Sequence, residues 1–156
     1  MNETRIRRLQ ERANDPQRVT DELTGQLPGP PADLASLAGV EQALGLQFPQ
    51  LFRQIYLEVG DGNWGPGYGL LPLAATSYGS SATNVLEESR AAIPGKVHFC
   101  RWGCTVYSVL DCKNGRVGIT DLDMDEPGVW WQRESIGEWL SAWLSDQNLF
   151  FEVEDA

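Results

Sequence analysis

Three cysteines and the only histidine of the chain are the residues best suited to nucleophilic or metal chemistry. Cys100, Cys104 and Cys112 lie within thirteen residues, and His98 precedes the first of them by two positions. This spacing matches no common zinc site, because it contains no Cys-x2-Cys or His-x3-His pair. His98 and Cys100 fall on one predicted strand, with no clear third group to orient the histidine. We therefore predict no catalytic residue, and we interpret the odd cysteine count as reduced thiols of an intracellular protein.

A glycine-rich segment, DGNWGPGYG at residues 61–69, is a second candidate site. It lacks the lysine and the serine or threonine with which a phosphate-binding loop holds phosphate and magnesium, so nucleotide binding is disfavoured. Trp64 and Tyr68 are aromatic residues of the kind enriched at binding hot spots. The same two rings could equally cover the hydrophobic core, and the sequence leaves both interpretations open. With Asp61 and Asn63 they form the first predicted partner-binding group.

An acidic run is the third candidate. Its spacing is similar to the first half of a calcium-binding loop, but position six is Glu126 where glycine is needed and position twelve is Gln132 where glutamate is needed. We therefore predict no metal ion, and interpret the run either as a solvated turn or as an acidic patch that attracts a basic protein. The run comprises Asp121, Asp123, Asp125 and Glu126.

The charge balance narrows the class of partner. Twelve basic and 22 acidic residues among 156 give a net charge of −10. That excess argues against nucleic acid, whose binding needs a basic face, and against anionic membranes. No apolar run approaches the roughly 20 residues of a membrane span, and residues 1–13 do not resemble a secretory signal. No hydrolase, metalloprotease or kinase motif is present. We expect a cytoplasmic, non-enzymatic protein without cofactor.

The first part of the chain is predicted to be helical. A helix at residues 3–13 has an apolar stripe, and its arginines are expected on a solvated face. The proline-rich segment 26–31 cannot be regular structure. We therefore divide the chain into residues 1–32, packed on or leading into the domain, and a domain at 33–156. The arginines are Arg5, Arg7, Arg8 and Arg12.

Local signals place the later elements. A helix capped by Asp33 and stopped by Gly45 is followed by a helix opened by Pro49 in its first turn. A two-residue hairpin turn is expected at Asn114-Gly115. A further core helix is expected at 83–92, and a last helix behind a capping box of Ser135 and Glu138. Strands are predicted at 96–101, 105–111, 116–122, 128–132 and 149–153. Residues 70–73 are predicted to be a short strand or an extended entry broken by Pro72. This order is typical of an α+β fold, a central antiparallel sheet with helices packed mainly on one face.

Several short motifs in a fixed order resemble the SUKH superfamily, which includes yeast cell-wall assembly regulators and many bacterial immunity proteins. The resemblance covers residues 33–146. Phe48 replaces the usual leucine of one motif, and Asp61-Gly62-Asn63 replaces the usual Asn-Gly-Gly of another. The motifs are Leu44-Gly45, Phe48-Pro49, Gly60-Asp61-Gly62-Asn63, Leu71-Pro72-Leu73, Arg101-Trp102-Gly103-Cys104, Tyr107-Ser108-Val109-Leu110-Asp111 and the closing SIGEWLSAWL.

The resemblance implies an α+β fold, no known catalysis, and a protein that binds and neutralises a partner toxin, often a nuclease. An acidic protein suits such a partner, because a site that holds phosphates is basic. The alternatives are a general regulatory scaffold with no toxin partner and, less favoured, a small-ligand binder or enzyme. The predicted partner-binding residues are Asp61, Asn63, Trp64, Tyr68, Asp121, Asp123, Asp125 and Glu126. Oligomeric state is not predicted.

Overall fold

A four-stranded antiparallel sheet in the order β1-β2-β3-β4 organises the fold. The structure is a computed structural model that describes residues 2–23, 25–75, 83–90, 95–124 and 128–150. Each strand pairs with the next along the chain, which confirms the predicted sheet. The strands are β1 (Lys96–Arg101), β2 (Val106–Asp111), β3 (Val117–Asp121) and β4 (Trp130–Arg133).

Five helices occupy the described residues, and their ends follow the local signals. The Asp33 side chain accepts a hydrogen bond of 2.7 Å from the Ser36 N–H, and Gly45 ends the second helix with a φ of 68°. The Ser135 hydroxyl accepts from the Glu138 N–H at 3.1 Å. The helices are α1 (Asn2–Ala13), α2 (Leu34–Leu44), α3 (Gln50–Glu58), α4 (Val85–Arg90) and α5 (Ile136–Leu144).

The predicted start of α3 and the predicted β2–β3 turn both need correction. Pro49 is the N-cap of α3 and not part of its first turn, because its ψ of 150° is extended. The β2–β3 hairpin exists, but its connection spans residues 112–115: the Asp111 N–H donates to the Arg116 carbonyl. Only Gly115 of the pair has a positive φ, at 81°. The turn therefore is not the two-residue type, which needs positive φ at both positions.

Two further predicted segments form no regular strand in the described residues. Of the two alternatives for 70–73, the structure has the extended entry, with a single bridge between Leu70 and Cys100, since Pro72 offers no N–H to extend a ladder. Leu149 and Phe150 are not in a strand, and the rest of the predicted strand 149–153 lies outside the described residues. The helix predicted at 83–92 is α4, and residues 91–92 likewise lie outside them.

Phe99 of β1 connects the sheet to the helical layer. Its ring lies 5.4 Å from that of Phe52 in α3 and 5.1 Å from that of Trp139 in α5. The same core cluster includes Ile6 and Leu9 of α1, and α1 contacts both α3 and α5. The helices thus pack mainly on one face of the sheet, as predicted, and α1 shares its core.

A buried carboxylate closes the α2–α3 hairpin. Glu41 is 9% exposed, and its Oε2 accepts a hydrogen bond of 2.7 Å from the Phe48 N–H. The same oxygen lies 3.6 Å from the Arg53 Nε. A buried charge persists where hydrogen bonds and an opposite charge compensate its lost hydration. Glu41 therefore fixes the angle at which the chain enters α3.

His98 lies beside a β-bulge of β1 and is fully buried. Its ring stacks on that of Tyr107 with centroids 5.6 Å apart, and its backbone N–H donates to the Ser89 Oγ. Neither ring nitrogen finds a hydrogen-bond partner among the residues that the structure describes. Burial lowers the pKa of His98 to about 4, because desolvation disfavours the imidazolium.

This burial predicts a loss of stability in mild acid. Between the ordinary pKa of 6.5 and the folded pKa of about 4, the unfolded chain takes up a proton that the folded chain does not, so stability falls as the pH falls. We expect the free energy of unfolding to drop by about 2 kcal/mol from this group between pH 7 and pH 5. Urea titrations at both pH values measure it, with His98→Phe as the non-titrating control. Equal drops in the two proteins would contradict the prediction.

Candidate partner-binding cleft

An open cleft of about 470 Å³ lies where the end of α1, the glycine-rich loop, the end of β1 and the residues after α5 meet. Its lining combines aromatic rings with carboxylates. This composition suits the binding of a partner side chain and does not suit the binding of a phosphate. The aromatic residues are Tyr68, Trp102, Trp143 and Phe150, and the acidic residues are Asp21, Glu22 and Asp146.

Arg12 holds the base of this cleft together. Its guanidinium carbon lies 3.9 Å from the ring centroid of the buried Trp143. The guanidinium donates to the Arg18 carbonyl and to the Trp143 carbonyl, and forms ion pairs with Asp21 at 3.7 Å and Asp146 at 3.3 Å. Burial, and then the charge of Arg18, lower the pKa of Arg12. The group remains charged at neutral pH all the same, as arginine does in proteins.

The position of Arg12 corrects the expectation that every arginine of α1 is solvated. Arg12 is 8% exposed, and Arg5 donates to the Ser141 Oγ at 3.2 Å. Arg7 and Arg8 are exposed as expected. Arg5 and Arg12 lie four residues before and three after Leu9, so helical geometry puts both on the flank of the buried stripe.

Asp21 joins the N-terminal segment to the glycine-rich loop and to α5. One of its oxygens accepts from the Trp143 Nε1 at 3.0 Å, and the other accepts from the Gly67 N–H at 2.9 Å. The Gly67 carbonyl in turn accepts from the backbone N–H groups of Asp21 and Glu22, both at 3.0 Å. The Asp21 carboxylate is therefore fixed by internal bonds, whereas the adjacent Glu22 side chain is exposed.

Tyr68 and Trp102 are positioned by the close approach of the glycine-rich loop to β1. The Tyr68 N–H donates to the Arg101 carbonyl at 2.9 Å, and the Trp102 Nε1 donates to the Ser108 Oγ at 2.7 Å. A Cβ on Gly67 would lie 2.8 Å from both the Arg101 carbonyl and the Trp102 ring. Only glycine fits there, and its φ of 62° favours glycine independently.

The structure places the four residues of the first predicted partner-binding group in different environments. Trp64 is fully buried, donates to the Gly60 carbonyl and packs 5.9 Å from the Trp143 ring. Asp61 is 8% exposed, and its side chain accepts from the Leu73 N–H. We therefore remove both from the candidate surface, because satisfied buried side chains do not face a partner. Trp64 instead supports the base of the cleft.

Asn63 and Tyr68 complete that group. Asn63 is half-buried with a positive φ of 65°, and its backbone carbonyl accepts from the Gln26 side chain at 2.9 Å. Its structural role is therefore in the loop backbone. Tyr68 is the one residue of the four that lines the cleft.

Asp121 and Asp123, the described residues of the acidic run, do not line the cleft. The Asp121 Oδ1 accepts from the Thr105 hydroxyl at 2.5 Å and from the Asp123 N–H at 3.0 Å. These bonds, the Thr105 bond foremost, lower the pKa of Asp121. Asp125 and Glu126 lie outside the described residues. Within the described ranges, no cluster of three or more histidine, cysteine, aspartate or glutamate side chains could hold a metal ion.

The cysteines are free thiols in the structure. Cys100 is buried and donates to the Pro66 carbonyl, and burial raises its pKa well above the ordinary value. Burial also raises the pKa of Cys112 to about 12. Both stay protonated at neutral pH and are poor nucleophiles, since the thiolate is the reactive form.

Sequence reasoning missed most of the cleft. Asp21 and Trp143 are 122 residues apart, so no local pattern connects them. An available signal was the excess of tryptophan, six in the chain, because indole N–H groups need partners when buried. The missed residues are Arg12, Asp21, Glu22, Trp102, Trp143, Asp146, Gln147, Asn148 and Phe150.

The fold and its motifs lead to a family. The sequence model of the SMI1/KNR4 family (SUKH-1) matches residues 31–146. The chain belongs to this family. No curated protein matches the chain significantly. No helix in the described part of the chain is long and apolar enough to cross a membrane.

The family match covers only some of the residues that line the cleft. The SUKH-1 region supplies Tyr68, Trp102 and Trp143, while Arg12, Asp21, Glu22 and Phe150 lie outside it. The family scaffold therefore provides most of the aromatic surface. Segments outside the matched region contribute two of the three acidic residues and the arginine that orders them.

Replacing Arg12 tests whether it holds the cleft together. We expect Arg12→Leu to lower the free energy of unfolding by about 2–4 kcal/mol, because it removes the buried guanidinium that donates to the Arg18 and Trp143 carbonyls and pairs with Asp21. Urea titration followed by tryptophan fluorescence measures the loss. Arg18→Gln is the matched control: Arg18 shares Asp146 but is exposed, so its loss should cost no more than about 0.5 kcal/mol. Equal losses in the two variants would contradict this role.

Proposed function

We propose that this SUKH-1 protein is a non-enzymatic protein-binding module of the cytoplasm, an immunity protein that neutralises a basic toxin domain by covering its active site. Membership of the family supports an immunity or protein-interaction module in general. The observation that carries the finer proposal is the cleft, whose exposed Glu22 and Asp146 border aromatic rings.

Charge supports a basic partner. The chain has a net charge of −10, and the three carboxylates of the cleft outnumber its one guanidinium. A toxin that cleaves nucleic acid must hold phosphates, and its active site is therefore basic. An acidic protein approaches such a site quickly and competes with the phosphates for the same cations.

Co-expression tests the proposed function. The reading frame adjacent to this gene is expressed in a bacterial host, with and without this chain. For an immunity pair we expect the neighbouring protein alone to stop growth and this chain to restore it, because a stable complex occludes the toxic site. Purified components should then form a complex that lacks the toxic activity. A complex in which the toxic activity persists, or no rescue by the folded chain, would count against the proposal.

The acidic run is proposed to assist electrostatically. With the purified complex, we expect Asp121→Asn/Asp123→Asn to slow association a few-fold at low salt and to flatten its salt dependence, because exposed charges act on the association rate. Stopped-flow fluorescence at several ionic strengths measures both. Glu87→Gln/Glu58→Gln changes net charge equally and is the control. If the salt dependence of the association rate matched that of the control, the acidic run would not belong to the binding surface.

A further inference from the structure

The polar groups of the cleft fall into two sets. The Arg12 nitrogens face carbonyls and carboxylates of the protein itself, and both Asp21 oxygens accept internal hydrogen bonds. In contrast, the Glu22 carboxylate and the Tyr68 hydroxyl have no hydrogen bond or ion pair to any described residue. The second set is available to a ligand.

Aromatic faces adjoin these available groups. The Trp102 and Phe150 rings lie 5.6 Å apart, tilted by 38°, and Phe150 is 48% exposed. The Tyr68 ring already interacts with a guanidinium, that of Arg101, at 5.4 Å. Aromatic rings beside carboxylates form the environment that a planar cation prefers.

We propose that the cleft receives an arginine side chain of the basic partner surface, its guanidinium stacking on the Tyr68 and Trp102 rings and pairing with Glu22. This inference rests on the proposed function for its partner but has its own test. It names the chemistry that the cleft recognises, which membership of the family does not specify.

The alternatives fit the lining less well. An anion would need a cationic donor, and Arg12, the cation in the cleft lining, is already engaged inside the protein. A purely apolar side chain would leave the Glu22 carboxylate beside it without compensation, and burying an unpaired carboxylate is costly. Arginine suits the site better than lysine, because its flat guanidinium stacks on rings and is more weakly hydrated.

A short peptide tests the cleft without the partner. The probe is acetyl-Gly-Arg-Gly-amide, titrated into the full chain at pH 7 and low salt. Its control replaces arginine with citrulline, which has the same shape and no charge. Two-dimensional ¹H–¹⁵N NMR follows the indole N–H signals of Trp102 and Trp143, which report on the wall and the base of the cleft.

We expect saturable shifts of these indole signals with a dissociation constant on the order of millimolar, as a ligand of this size allows. The citrulline peptide should bind at least about fivefold more weakly, since it loses both the cation–π and the ion-pair contributions. Glu22→Gln/Tyr68→Leu should weaken the arginine peptide by about five- to tenfold. Glu58→Gln, an exposed position outside the cleft, should leave the affinity unchanged.

Equal binding of the two peptides would overturn the inference, because charge would not be recognised. Shifts confined to residues outside the cleft would overturn it as well, as would unchanged affinity in Glu22→Gln/Tyr68→Leu. None of these results bears on the co-expression assay. Rescue with a negative peptide result would place the partner on another surface. Peptide binding without rescue would support arginine recognition by the cleft and count against a toxin as the partner.

Discussion

The burial of the Arg12 guanidinium against Trp143 is the interaction on which the rest of the cleft depends. A buried guanidinium is costly unless carbonyls and carboxylates surround it. Here two carbonyls and two carboxylates do so, and they come from the segment after α1 and from the end of α5. Compensating this one charge therefore requires that these segments converge. The convergence brings Asp21 and Asp146 to the edge of the cleft.

This arrangement separates the groups that build the cleft from those that are available for recognition. Asp21 contributes negative charge, but its oxygens are held by Trp143 and Gly67, so binding costs it little side-chain entropy. Trp102 is similarly held through Ser108. Glu22 is different, because its backbone is anchored to Gly67 while its carboxylate extends into solvent. The cleft thus has a pre-formed aromatic surface with one adaptable charge beside it.

Sequence could predict the elements whose signals are local. Asp33, Gly45 and Ser135 act within one helical turn, and each caps the expected helix. Local sequence could not predict the position of Trp64, because the sequence around a tryptophan on a glycine-rich loop is the same whether its side chain is exposed or buried. Its burial follows from the contact with Trp143, 79 positions away in sequence. The cleft was unpredictable for the same reason, because its residues are joined only by tertiary contacts.

The residues that shape the cleft differ from the residue that sets its exposed charge, because of how the segment at residues 20–22 is attached. Its bonds to the glycine-rich loop are largely backbone bonds to the Gly67 carbonyl, which do not depend on the side chain at position 22. That side chain can change without cost to the fold, whereas Gly67 cannot, since a Cβ there would strike Trp102. The shape of this part of the scaffold therefore depends on such steric constraints. A substitution of Glu22, which lies outside the matched region, would therefore alter the charge of the cleft and leave the core undisturbed.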